Sequence, residues 1–105
     1  MSETGTVPEA RTGAFTASDD GSHWSFDGAL TFDNAAAVLE AAESLDLPAS
    51  GRIDLTNLRT VDSAALAVLF ALKRRAKAHR RTLVFEGIPP MLASLARVYG
   101  VEALI

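Results

Sequence analysis

The sequence predicts an α/β domain with a central mixed β-sheet and helices, in the order β-β-α-β-α-β-α. Apolar residues alternate with polar ones in segments such as 23–27 and 52–55, the pattern of strands with one buried side. Over 35–45 and 66–76 they recur every three or four residues, as in helices packed on one face. Because strand, helix and strand patterns follow one another over 52–86, we expect a βαβ unit with parallel or nearly adjacent strands.

The domain is expected to begin after a polar segment. Residues 1–13 have almost nothing to bury and predict a flexible N-terminal tail, which leaves 14–105 for the domain. Two short strands follow at 14–17 and 24–26, joined across a turn-rich segment of Ser, Asp and Gly. Gly28 is expected to end the second strand.

The middle of the chain contains the most regular patterns. A helical period covers 33–45, with Asp33 or Asn34 placed to cap its start. A strand is predicted at 52–58, where Ile and Leu alternate with polar residues. The next helix is predicted to begin at Asp62 or Ser63 and to end near residue 78.

The last third supplies a strand, a helix and a short end segment. The strand is predicted at 82–86, and a Pro-Pro pair at 89–90 opens the final helix. Gly100 suits the position just after that helix. Residues 101–105 are expected to form a short edge strand.

Composition limits the possible functions. A chain of 105 residues with 49% hydrophobic residues suits one small domain with a core. It has no cysteine, which excludes disulfides and thiolate metal sites, and its net charge of −3 argues against a dedicated nucleic-acid binder. The first residues do not have the features of a signal peptide. The longest apolar run, 64–72, is far shorter than the roughly 20 residues that span a bilayer.

No pattern in the sequence indicates an enzyme. His23 and His79 are isolated from each other, and neither lies near a serine and an acid in a nucleophile motif. The sequence has no G-x-S-x-G, no H-E-x-x-H and no Gly-rich phosphate loop. We therefore expect no catalytic residue, no metal and no cofactor.

The start of the predicted helix at 62–78 is the most informative place. The first amides of a helix have no intrahelical partner and carry the positive end of its dipole, so Asp62 or Ser63 is expected to act as the N-cap. The alternative is that Ser63 presents its hydroxyl at the surface. A phosphoryl group there would be partly stabilised by the helix terminus and repelled by Asp62, so such a site can switch an interface.

Two further surfaces are candidates for contacts with partners. Six of the ten Lys and Arg residues lie near the C-terminus of the same helix: Lys73, Arg74, Arg75, Lys77, Arg80 and Arg81. Cations stabilise a helix C-terminus, and their long side chains cover its solvent face. This structural interpretation of the six residues is favoured over docking to an acidic partner or to lipid headgroups. The alanines of 35–42 would allow a partner helix to approach closely, although packing on the sheet explains them as well.

The ordered set of motifs resembles the STAS domain family, the fold of bacterial anti-sigma factor antagonists. The resemblance covers about 14–105 and is carried by four segments: 28–30 (Gly-Ala-Leu), 53–55 (Ile-Asp-Leu), 61–69 (Val-Asp-Ser-Ala-Ala-Leu-Ala-Val-Leu) and 88–101. Within the family, the chain is most similar to MlaB-type subunits, which are cytoplasmic STAS subunits of phospholipid ABC transporters. The similarity includes the Leu-Ala-x-x-Tyr pattern at 95–99.

The resemblance implies a non-catalytic subunit that binds and regulates the ATPase subunit of such a transporter. It implies a cytoplasmic location and membrane contact only through partner subunits. The implied partner-binding surface consists of Thr31, Asp62, Ser63, Ala64, Ala65 and Ala67. The alternative function is an anti-sigma factor antagonist, whose kinase partner phosphorylates Ser63.

The sequence departs from the family pattern at two positions. The family often has Gly after the hydroxyl residue, where this chain has Ala64, and an acid after the first motif, where it has Thr31. In kinase-regulated antagonists that acid lies near the phosphorylated hydroxyl. Its replacement therefore favours a contact role for Ser63 over a phosphorylation switch.

Overall fold

The computed structural model describes residues 13–105 of the chain. The predicted class and element order are confirmed. The elements are β1 (Ala14–Ala17), β2 (His23–Leu30), α1 (Ala35–Glu43), β3 (Arg52–Val61), α2 (Ser63–Ala78), β4 (Val84–Glu86) and α3 (Pro90–Val98), followed by a short 3₁₀ helix (Glu102–Leu104).

The four strands form one mixed sheet in the order β1-β2-β3-β4. β1 pairs with β2 antiparallel, whereas β2–β3 and β3–β4 are parallel. The chain therefore contains two consecutive βαβ units, of which the second confirms the unit predicted over 52–86. Crossovers of this kind are almost always right-handed, and two that progress in the same direction place their helices on the same side of the sheet.

The core lies between that side of the sheet and the helices. The inward side chains of the strands, including Trp24, Phe26, Ile53 and Leu55, are almost fully buried together with residues from all three α-helices. The indole N–H of Trp24 donates to the Asp46 carbonyl at 3.0 Å and so remains hydrogen-bonded inside the core. The other side of the sheet has polar side chains facing solvent, which explains the alternation in the sequence.

Gly28 does not end β2, contrary to the sequence prediction. The strand continues to Leu30, and the register with β3 shifts between Gly28 and Ala29. Gly28 has a φ of 111°, which favours glycine, and this kink lets the chain pass the irregularity without leaving the sheet. β3 extends three residues further than predicted, to Val61, because the longer β2 pairs with it there.

Gly13 belongs to the domain, although the sequence assigned it to the flexible tail. Its N–H donates to the Ala29 carbonyl at 2.9 Å, which extends the pairing of β1 with β2. A Cβ at this position would lie 2.0 Å from the ring of Phe26, so the close approach requires glycine. The rest of the predicted tail, residues 1–12, lies outside the described residues.

The chain end is not an edge strand. Gly100 has a φ of 71° and ends α3, as predicted, and the Val101 N–H donates back to the Ala96 carbonyl at 2.8 Å. The following 3₁₀ helix carries Val101 and Ile105 against the core. The edge-strand prediction for 101–105 is therefore wrong, because this segment forms a helical turn that packs Val101 and Ile105 partly against the core.

Two arginines of α2 and the turn after it hold the end of α1 in place. The Arg75 guanidinium donates to the carbonyls of Ala42 at 3.0 Å and Leu45 at 2.6 Å. Arg81 donates to the Pro48 carbonyl. Ala42 lies in the last turn of α1, and Leu45 and Pro48 follow the helix, so the two cations bind the end of α1 and the segment after it to α2 and the turn that follows α2.

Candidate functional site

The candidate site lies at the carboxyl edge of the parallel strands. β2 and β3 run side by side to their ends, where Ala29 is paired with Thr60 and Leu30 with Val61. The loop before α1 and the first turn of α2 therefore emerge next to each other. Open α/β sheets commonly bind their ligands at this edge.

Asp62 joins the two segments. It is the N-cap of α2, and its carboxylate Oδ1 accepts the Ala64 N–H at 2.8 Å. The other oxygen, Oδ2, accepts the N–H of Phe32 at 3.0 Å, across 30 residues of sequence. Both oxygens of one carboxylate thus bind backbone donors of different elements, which fixes the loop before α1 against the start of α2.

The loop before α1 has its own hydrogen bonds. Asn34 accepts the Thr31 N–H at 2.9 Å and donates to the Ala29 carbonyl at 2.8 Å. The Thr31 hydroxyl accepts the N–H of Asp33 at 3.3 Å. The Thr31 side chain is therefore engaged within its own turn, and the loop conformation is defined on both sides of Phe32.

Ser63 and Ala67 lie on the outer face of α2. Ser63 is the first residue of the helix and is partly exposed, while Ala67, one turn later, is exposed. Within residues 13–105 the Ser63 hydroxyl makes no hydrogen bond and no base contacts it. The hydroxyl is thus available to donate or accept a hydrogen bond across an interface, or to receive a phosphoryl group from a kinase.

The family resemblance includes Ala64 and Ala65 in the partner-binding surface, but a partner cannot reach them in this structure. Ala64 is buried and Ala65 is completely buried, and both lie on the side of α2 that faces the sheet. A helix turns by 100° per residue, so the two residues that follow Ser63 are rotated away from its direction and toward the sheet. The part of the predicted surface that a partner can reach consists of Thr31, Asp62, Ser63 and Ala67.

Phe32 is a surface residue that the sequence argument missed. Its side chain is 74% exposed, although its N–H is held by Asp62. A large aromatic side chain on a fixed loop is a feature typical of binding surfaces, because burying it on association is strongly favourable. One feature of the sequence could have indicated this exposure. Phe32 follows β2 and lies outside both the alternating pattern of that strand and the apolar stripe of α1.

Other titratable groups of residues 13–105 lie apart from this site. His23 and His79 are both exposed, and within residues 13–105 the His23 ring hydrogen-bonds only to Ser22, at 3.1 Å. Hydrogen bonds from the Thr56 hydroxyl and N–H lower the pKa of Asp54 and keep this carboxyl ionised. Residues 13–105 contain no group of three or more His, Cys, Asp or Glu that could hold a metal ion.

No helix within 13–105 combines the length and apolar character required to cross a bilayer. The apolar run at 64–72 lies instead within α2, where most of its side chains face the core.

A comparison with known protein families identifies the domain family to which this site belongs. The family described as "Mlab, STAS domain" matches residues 14–105, which is nearly the whole of the described chain. No curated protein matches the sequence significantly. The matched range includes the mixed sheet, the Asp62–Phe32 contact and the exposed start of α2. On this match, the chain belongs to the MlaB-like STAS domain family.

Proposed function

We propose that this chain is a non-catalytic subunit that binds and regulates the ATPase subunit of an Mla-type phospholipid ABC transporter. The family match supports this proposal, since STAS domains are in general regulatory and not enzymatic. A transporter of this type moves phospholipid between the inner and outer membranes and maintains the lipid asymmetry of the outer membrane. In this role the chain is cytoplasmic and lies at the inner membrane only through its partner subunits.

The observation that carries the proposal is the exposed aromatic side chain beside the start of α2. Phe32 extends into solvent from a loop that Asp62 and Asn34 hold in place. A partner that covers Phe32 gains roughly 1.5–3 kcal/mol from the burial of its ring. Little conformational entropy is lost at the loop, since its backbone is already ordered.

The small side chains next to Phe32 allow a partner to approach closely. Ser63 and Ala67 lie one turn apart on the outer face of α2, so a helix of the ATPase can pack against them with little steric hindrance. The Ser63 hydroxyl can add a hydrogen bond at the edge of this contact. Phe32, Ser63 and Ala67 are hereafter called the docking edge.

A second candidate function rests on the free hydroxyl of Ser63. In an anti-sigma factor antagonist, a partner kinase would phosphorylate this serine and thereby release the complex. Here the Asp62 carboxylate already accepts the Ala64 N–H, so a phosphoryl group on Ser63 would stand beside a fixed negative charge and compete for the same amide. This geometry favours the transporter role.

Purification from native membranes distinguishes the two functions. Tagged wild-type protein is expected to recover an ABC ATPase, whereas recovery of a GHKL-type kinase that phosphorylates Ser63 would support the antagonist. Ser63→Asp is expected to reduce the amount of ATPase recovered while leaving the urea midpoint unchanged, because an acid in the first turn of a helix is well tolerated. Undiminished recovery of the ATPase by this variant would rule out a contact at Ser63.

A further inference from the structure

The C-terminal part of α2 carries an unusually segregated charge. Residues 63–85 contain six Lys and Arg and no Asp or Glu, whereas the rest of the chain contains four Lys and Arg and all thirteen acids. An ordinary solvent face of a helix mixes both signs, since i,i+4 pairs stabilise it. A one-signed surface on a chain of net charge −3 instead attracts groups of opposite charge.

Only three of these six cations make contacts within the domain that explain their presence. Arg75 and Arg81 donate to backbone carbonyls at the end of α1, as described above. Lys73 lies over the ring of Phe85, with Nζ 5.4 Å from the centroid. The other three are exposed, and none has a carboxylate partner within the described chain: Arg74, Lys77 and Arg80.

Arg80 occupies a backbone conformation that disfavours it. Its φ is 59°, in the left-handed region, and it is the only residue other than glycine with positive φ among those described. It stands just after α2, where the Arg81 N–H donates back to the Ala76 carbonyl at 2.7 Å. This is the position where glycine is usual, as Gly100 shows after α3. An arginine here lowers stability, and within residues 13–105 its side chain makes no hydrogen bond or ion pair that compensates.

We propose that Arg74, Lys77 and Arg80 form a basic surface that binds an acidic polypeptide segment of a partner protein. A groove beside them, lined by Lys73, Lys77, Arg81, Thr82 and Leu83, provides additional cations along its length. The basic surface lies at the opposite end of α2 from Ser63, about 20 Å away along the helix. It is therefore separate from the docking edge and does not depend on the proposed function.

A polypeptide suits the surface better than a lipid membrane. The surface is small, and the remainder of the chain has an excess of acids, so a broad anionic membrane would bring negative charge against negative charge. A narrow acidic segment reaches the three cations without approaching the rest of the domain.

The test measures binding of a fluorescein-labelled peptide in which Glu alternates with Ser, by fluorescence anisotropy at low ionic strength. The triple variant Arg74→Ala, Lys77→Ala, Arg80→Ala is expected to bind the peptide about tenfold more weakly than the wild type. Each exposed ion pair contributes only modestly, so the three losses together give an effect of this size. The matched control is Arg52→Ala, Arg59→Ala, Arg97→Ala, which removes the same charge elsewhere. It is expected to retain the wild-type affinity.

Single substitutions at Arg80 distinguish a binding role from a structural one. Arg80→Gly is expected to raise the melting temperature by a few degrees, since it relieves the unfavourable φ, and to weaken peptide binding. Arg80→Ala is expected to weaken binding equally without the gain in stability. Loss of binding with a gain in stability is the result that a purely structural arginine would not give.

Two results would overturn the proposal. Equal weakening by the two triple variants would show that only net charge matters. Binding of the wild type to phosphatidylglycerol vesicles, abolished by the first triple variant, together with no binding of the peptide, would assign the basic surface to lipid.

Discussion

Removing the Asp62 carboxylate tests whether this one side chain holds the docking edge together. In Asp62→Ala, the N–H groups of Ala64 and Phe32 both lose their acceptor. The first loss removes the N-cap of α2 and the second releases the loop before α1. The fold should persist, because the core residues of α2 are unaffected.

The expected cost follows from the two hydrogen bonds. Loss of an N-cap acid costs about 1 kcal/mol. The bond from the Phe32 N–H is exposed, so its contribution falls below the usual range for a charged acceptor, at about 1 kcal/mol. Asp62→Ala should therefore lower the free energy of unfolding by about 2 kcal/mol. Asp62→Ser retains a cap but cannot reach Phe32, and it should lose about half as much.

Urea unfolding followed by tryptophan fluorescence measures both values. Trp24 is the only tryptophan and is fully buried, so its emission reports global unfolding. An Asp62→Ala variant within about 0.5 kcal/mol of wild type would refute the reasoning, since surface substitutions without structural consequence fall in that range. Equal losses for Asp62→Ala and Asp62→Ser would instead place the whole effect in the contact with the loop.

Three other predictions concern the domain itself. Leu69→Ala should cost roughly 2–5 kcal/mol in the same urea assay, because Leu69 is fully buried; an unchanged unfolding midpoint would disprove its core position. Arg75→Ala should cost about 1–2 kcal/mol, since the carbonyls of Ala42 and Leu45 lose the guanidinium as a donor, and amide hydrogen exchange should speed up around the end of α1 and not in α3. Hydrogen bonds from Ser22 and Ser18 lower the pKa of Asp20 from 3.8 to about 2, so their contribution is present above pH 3.8 and is lost as the pH falls toward 2. The stability difference between wild type and Asp20→Asn should shrink over that range, and a constant difference would contradict the lowered pKa.

The fold could be predicted because each element has a periodic pattern of its own. The alternation around Trp24 and Phe26 and the helical period of α2 depend only on which side of the element faces the core. The errors in β2 and β3 occurred where a neighbouring strand decides the outcome. Gly28 remains in β2 because β3 continues to pair with the residues that follow it, and the sequence alone does not show that pairing.

The candidate site was predictable only in part. The spacing of residues places Asp62 and Ser63 at a helix start, and Asp62 is indeed the N-cap. The second contact of Asp62, to Phe32, joins positions 30 residues apart and depends on the parallel pairing of β2 with β3. For the same reason the sequence did not indicate that Phe32 lies beside the start of α2. Ala65 was included in the partner surface by the family resemblance, and its burial follows from the rotation of α2.

The central claim is that Phe32 anchors an ABC ATPase at the docking edge. Titration calorimetry of the purified chain with the Mla-type ATPase of the same organism measures it directly. Phe32→Ala is expected to weaken binding by roughly 10- to 100-fold, from the loss of one buried aromatic ring. Val98→Ala, which removes an equally exposed apolar side chain (78%) near the end of α3, is expected to leave the affinity unchanged. Equal affinity of wild type and Phe32→Ala, or no binding of the wild type, would contradict the account.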